Sequence, residues 1–298
     1  MKITKYAAGT LALSAILTLG VHMPETSAAT KKTLLWSEEF NSKAGTAVSS
    51  KNWNYDIGDG TEAGIPGWGN SEREYYIKSA IKQDGKGSAV ITAKRMTVPA
   101  GGQTSKDNPY MCYYGTACEW TSAKITTLGK VGFEYGRMEA RIKNPKGVGM
   151  WPAFWMLGSD IKTNEWPACG EIDIMELKGQ NADTVWGTLH GPNGSNGTTS
   201  TIDTDLTDWH TYAIDWTPTS VTWYLDGQQY HKVTKADYVG SNAPAVWVFD
   251  HEFYIILNLA MGGNFVGGPT DPSVESANLT FDYVRYYTVD GVGQVINH

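Results

Sequence analysis

The sequence predicts an all-β fold, two antiparallel sheets packed face to face, and three observations carry that prediction. Short runs rich in β-branched and aromatic residues recur along the chain, clusters of Gly, Pro, Asn and Asp separate them, and no stretch beyond residue 29 keeps a helical apolar period. Many short strands of this kind bury their apolar faces most simply in a sandwich.

The first segment lies outside that pattern. Lys2 and Lys5 precede an apolar run from Tyr6 to Val21, and Ser27-Ala28-Ala29 closes the segment with small residues, as in a cleaved secretion signal. The run is shorter than the ~20 apolar residues of a membrane span, and Thr10, Ser14 and Thr18 break it. Residues 1–29 are therefore expected to be removed. Residues 30–298 are read as one domain, secreted, with no membrane association after cleavage.

Within that domain the expected strands are Ala89–Ala93, Gly136–Ile142, Trp209–Trp216, Val221–Leu225, Tyr254–Ala260 and Leu279–Tyr287. Asp226-Gly227, directly after the fourth, is a hairpin-turn signal. Residues 191–200, Gly-Pro-Asn-Gly-Ser-Asn-Gly-Thr-Thr-Ser, read as an exposed loop at a cleft edge. Patterning resumes directly afterwards, so no domain boundary is placed there.

The formal charge is −7, and loss of Lys2, Lys5 and Glu25 with the first segment makes the remainder one unit more negative. That balance argues against nucleic acid or anionic membranes as partners. Twelve Trp and 16 Tyr are many for a chain of this size, and their flat rings suit stacking on sugars as well as core packing. Of three cysteines, Cys112 and Cys118 lie near enough to close a small loop in an oxidising compartment. Cys169 reads as a small buried residue, and no cysteine combines with His190 or His251 at zinc-site spacing.

The chemistry concentrates in Glu171-Ile172-Asp173-Ile174-Met175-Glu176. On a strand Glu171 and Asp173 share a face while Ile172 and Ile174 face the core. A regular strand would then turn Glu176 inward, burying a carboxylate at a cost of several kcal/mol. A one-residue bulge between Asp173 and Glu176 removes the conflict and sets all three acids on one side. Some 13 Å of backbone then separates the two glutamates, so both side chains must lean inward to approach the ~5–5.5 Å of a retaining glycosidase pair. One carboxylate would attack the anomeric carbon and one carboxyl would protonate the leaving oxygen. Asp173 between them would hydrogen-bond Glu171 and help hold the Glu176 proton by its charge. A calcium site on these acids is the weaker alternative, because a stiff strand does not wrap a cation.

These residues resemble the signature of glycoside hydrolase family 16 in the bulged form of laminarinase-like endo-β-1,3-glucanases. Trp36–Asn41, Gly67–Glu72, Tyr135–Arg141, Trp151–Leu157 and Asn258–Phe265 resemble laminarinase segments in the same order and span most of residues 34–287. The resemblance implies a β-jelly-roll sandwich with a concave substrate groove and endo-cleavage of β-glucan with retention. It makes Glu171 the nucleophile, Asp173 its assistant and Glu176 the acid/base. It also implies a sugar platform on Trp151 and Trp155, cleft hydrogen bonds from Asn70, Arg137 and His190, and a cleft role for Trp68. No cofactor is implied for catalysis. One structural Ca²⁺ is implied on Glu39, the Gly87 backbone and Asp282. The protein is expected to act as a monomer.

Three readings remain open beside a β-1,3- or mixed β-1,3(4)-glucanase. They are a β-galactan hydrolase on the same fold, transglycosylation by the same intermediate, and a non-catalytic glucan-binding protein. The last is disfavoured because both glutamates are present.

Overall fold

Alternating burial shows why the strands form where they do. Along Gly136–Lys143, Met138, Ala140 and Ile142 are buried while Glu139, Arg141 and Lys143 occupy the opposite face. Ala89, Ile91 and Ala93 repeat the pattern in Ala89–Arg95. The computed structural model describes residues 30–201, 205–240 and 246–298, so the secretion signal expected over residues 1–29 lies outside the described residues.

Among the described residues the strands assemble into a ten-stranded and a nine-stranded sheet, antiparallel apart from the pairing of Glu74–Tyr76 with Trp120–Ser122. The larger sheet places Gly136–Lys143 between Trp209–Thr217 and Ser276–Val289. The smaller one runs Gly194–Thr201, Thr184–Gly191, Glu171–Glu176, Met150–Gly158, Phe253–Met261, Lys124–Thr126 and Asn54–Asp56. Ile91, Met138, Ile142 and Ile214 from the first sheet meet Phe154, Met156, Ile172, Ile174 and Leu257 from the second in one apolar core. Each such side chain, once buried, contributes about 1.5–3 kcal/mol. Lys31–His298 form one compact unit, and its layering is the jelly-roll sandwich expected.

The six expected strands are present, each extended by one to three residues at an end. Asp226 and Gly227 both take positive φ, 49° and 79°, as the tight hairpin turn requires. One expectation fails. Most of the supposed loop at 191–200 is the strand Gly194–Thr201, which pairs residue for residue with Thr184–Gly191. It is an edge strand with polar residues on both faces, so no apolar alternation announces it. Cys112 and Cys118 are joined in a disulfide, and Cys169 is buried and free.

Candidate active site

The acidic strand Glu171–Glu176 lies inside the smaller sheet, held by ladders on both sides. On one side Asp173 pairs with Thr188 and Glu176 with Trp186, three residues spanning two. On the other, Phe154 pairs with Met175 and Trp155 with Asp173, so Ile174 is passed over. This is the bulge that parity demanded. Ile172, Ile174 and Met175 are all buried in the core, and the three acids share the other face.

Each acid has its own hydrogen-bonding environment. The Trp166 indole Nε1 donates to Glu171 Oε2 at 2.9 Å, and His190 Nε2 lies 3.7 Å from Oε1 of the same carboxylate. His190 Nε2 is also 3.0 Å from Asp173 Oδ2. The Trp151 indole Nε1 donates to Glu176 Oε1 at 2.8 Å. Glu171 has a side chain 17% exposed against 3% for Asp173, so it is the more accessible of that pair to an incoming group.

Burial, then the Asp173 charge, pushes the Glu176 carboxyl up to about 8, opposed by the Trp151 hydrogen bond. The charge of Asp173 therefore acts as expected but ranks second to desolvation. Glu171 is also raised, by burial and by Asp173, while His190 and Trp166 favour its ionised form. Asp173 is pushed up to about 8 by burial, with its hydrogen bond to Glu171 opposing the shift. Two such carboxyls in contact hold one proton between them more readily than two charges.

The remaining expected site residues divide into two groups. Trp151 and Trp155 share the acidic face. The Trp155 Nε1 donates to Asn258 Oδ1 at 2.7 Å, and Lys124 Nζ sits 5.3 Å from the Trp155 ring centre. Trp68 reaches the same place from a loop, with Lys124 Nζ 4.1 Å from its ring centre, so the two indoles flank one ammonium. Asn70 is near, but its amide points to Glu72 at 3.5 Å. Glu72 accepts from the Tyr76 hydroxyl, which accepts from Asn258, so this loop is tied by hydrogen bonds to Trp155.

Arg137 does not belong to this site. It lies on the larger sheet, on the face opposite the core residue Met138, where it bonds Glu139 and Asp215 at 2.9 and 2.8 Å and stacks on Tyr224. Of the expected calcium ligands, the Glu39 and Asp282 side chains are otherwise engaged. Both Glu39 oxygens accept from Arg285 at 2.8 Å, and that guanidinium holds the Glu39 carboxyl below its ordinary range. Asp282 Oδ2 accepts from Arg141. Pairing with arginines partly neutralises both carboxylates and so disfavours a cation on those oxygens.

Several residues of the acidic face were not singled out from sequence. Trp166 stands in an irregular segment and is 56% exposed, with no period to mark it. Trp186 and Phe265 pack edge to face, and Phe265 also meets Trp151, closing an aromatic wall beside Glu176. Trp186, Thr188 and His190 alternate along one strand, a period-two signal that was available. Lys124 and Asn258 join the face through neighbouring strands.

A sheet face carrying unequal carboxyls beside an aromatic wall defines a glycoside-cleaving class of site. The chain belongs to the glycosyl hydrolases family 16, whose model matches residues 75–269. It is 36% identical to a beta-glucanase of Rhodothermus marinus, covering 85% of this chain and 84% of that protein. It is equally identical to glucan endo-1,3-beta-glucosidase A1 of Niallia circulans, with 85% of this chain but only 37% of that longer protein covered. Among solved structures, the catalytic domain of an endo-1,3-beta-glucanase (laminarinase) from Thermotoga petrophila superposes with a TM-score of 0.76. The identity is 38%, with 88% of this chain and all of that one covered.

Proposed function

We propose that this chain is a secreted endo-glycosidase that hydrolyses β-1,3-linked glucan, including mixed β-1,3/1,4 chains, with retention of anomeric configuration. The observation that carries the reading is the bulged strand, which sets Glu171 and Glu176 on one face in different environments. In the first step the Glu171 carboxylate attacks the anomeric carbon. The glycosidic C–O bond breaks, and Glu176 delivers its proton to the departing oxygen. In the second, water attacks the same carbon, Glu176 takes a proton from it, and the bond to Glu171 breaks. Asp173 and Glu171 share one proton and one negative charge, that charge helps Glu176 keep its own proton, and the Trp166 indole orients the nucleophile through its Oε2.

The names of the relatives support a β-glucan substrate. The Trp151, Trp155, Trp166 and Trp186 rings supply stacking faces for its sugars. The Cys112–Cys118 disulfide supports an oxidising, extracellular destination. The enzyme acts as a monomer, in a single catalytic domain over residues 30–298, with the polysaccharide as its partner.

Incubation with laminarin, lichenan, agarose and β-1,3-galactan, with product sizes and anomeric configuration followed, tests the reading. Mid-length β-anomeric products from laminarin are expected first. Cleavage of agarose or galactan alone would move the assignment to a galactanase. Binding without cleavage would make it a lectin.

A further inference from the structure

Glu171, Asp173 and His190 form, among the described residues, the one group of three or more such side chains arranged to hold a metal ion, with one donor atom from each all within 4.8 Å of one another. Two further observations point to a ligand. Asp173 is 2% exposed, and its Oδ2, which faces the other two donors, is buried without a hydrogen bond even though His190 Nε2 is 3.0 Å away. The other ring nitrogen of His190 is already oriented, because Nδ1 lies 2.6 Å from Ser195 Oγ. A proton on Nδ1 donated to that hydroxyl leaves the Nε2 lone pair aimed at the carboxylates, the outer-sphere arrangement typical of a ligating histidine.

We infer that this cluster is an inhibitory binding site for a divalent first-row transition cation such as Zn²⁺, which closes the enzyme by taking the nucleophile as a ligand. Metal–ligand bonds of about 2.0–2.2 Å place tetrahedral donors roughly 3.4 Å apart. His190 Nε2 stands 3.0 Å from Asp173 Oδ2 and 3.7 Å from Glu171 Oε1, bracketing that value. One imidazole with two carboxylates is a mixed nitrogen and oxygen set that selects Zn²⁺, Co²⁺ or Cu²⁺ over Ca²⁺ and Mg²⁺. Three protein ligands leave a fourth position open toward the partly exposed Glu171, where water or a sugar hydroxyl would complete the shell. Strand spacing alone does not reveal the site, because Ser195 and His190 come from the paired strands beyond the acidic one.

Zn²⁺ binding is a property of the cluster itself; its inhibitory consequence rests on the glucanase reading above. The experiment is calorimetric titration of the folded full chain with ZnCl₂ at pH 7, alongside CaCl₂, with laminarin hydrolysis measured at the same Zn²⁺ concentrations. Ser195→Ala, a change in an exposed hairpin, is expected to weaken Zn²⁺ about tenfold, and His190→Gln by tenfold or more. Inhibition should weaken in parallel and reverse on chelation. The two-donor pairs His251–Asp160 and His210–Asp226 give a weaker background that both variants retain. Co²⁺ in place of Zn²⁺ should give visible absorption bands that His190→Gln removes. Equal Zn²⁺ affinity in wild type and both variants, or Ca²⁺ binding as tight as Zn²⁺, would overturn the proposal. Zn²⁺ binding that depends on His190 in a protein that cleaves no glucan would leave the site standing and remove the hydrolase reading.

Discussion

The indole N–H of Trp151 points at Oε1 of Glu176 from 2.8 Å, so the residue proposed as a stacking face is also the hydrogen-bond donor to the proposed acid. A donor to a carboxylate favours its ionised form. Glu176 stands near 8 despite that bond, because burial and Asp173 outweigh it. kcat/KM is therefore expected to fall above about pH 8, as the proton needed by the leaving group is lost. Trp151→Phe keeps a ring and deletes the donor. It should move this alkaline limb upward by about half a unit to one unit, and an unchanged or lowered limb in the pH–rate profile would contradict the assignment.

Glu171→Gln should reduce laminarin hydrolysis by at least three orders of magnitude while far-UV circular dichroism and oligosaccharide binding persist. Glu176→Ala should cost about 10²–10⁴-fold on polysaccharide but far less on an aryl glycoside whose leaving group needs no proton. Equal losses on the two substrates would exclude the acid/base role.

Arg137→Ala should leave kcat nearly untouched and destabilise the fold. The guanidinium is almost wholly buried between Glu139 and Asp215, and its removal leaves two partly buried carboxylates without their cation. Breaking such a pair costs about 3–5 kcal/mol. The thermal midpoint is then expected to fall by roughly 10 °C, and a loss of activity without a loss of stability would return Arg137 to the groove.

Glu72 and Glu74 form a second acidic pair, both buried, with Glu74 raised by burial and by Glu72. A carboxyl whose folded pKa is raised binds its proton more tightly folded than unfolded. Its contribution is fully present below the unfolded value near 4.5 and is lost as pH rises toward the folded one. Glu74→Gln keeps an acceptor for the Met261 N–H and gives Glu72 a donor. It should raise the unfolding free energy by about 1–2 kcal/mol at pH 8 and leave it almost unchanged at pH 4, as denaturant unfolding at the two values would read. A gain that is the same at both values would argue against a shared proton.

Much of the site was legible because its logic is strand parity. Six residues with two core isoleucines fixed both the face of the acids and the need for a bulge. The placement of Arg137 was less accessible: its alternation with Met138, Ala140 and Ile142 says that it faces away from the core, and nothing local says from which sheet. Trp166 acts from an irregular segment where no period applies. The strand Gly194–Thr201 is polar on both sides and is defined by its partner more than by its own residues. Asn70, expected to offer a cleft hydrogen bond, turns its amide to the buried Glu72, a partner that no local pattern announces.

The bulge also sets which changes in length the acidic strand can absorb. Loss of one residue between Asp173 and Glu176 would leave Glu-Ile-Asp-Ile-Glu or Glu-Ile-Asp-Met-Glu, a regular alternation with every acid still facing outward. Loss of one residue between Glu171 and Asp173 would turn a carboxyl into the core. Insertions and deletions therefore have one permissive position in this strand, and a family built on it can vary the spacing of its acids there without surrendering their orientation.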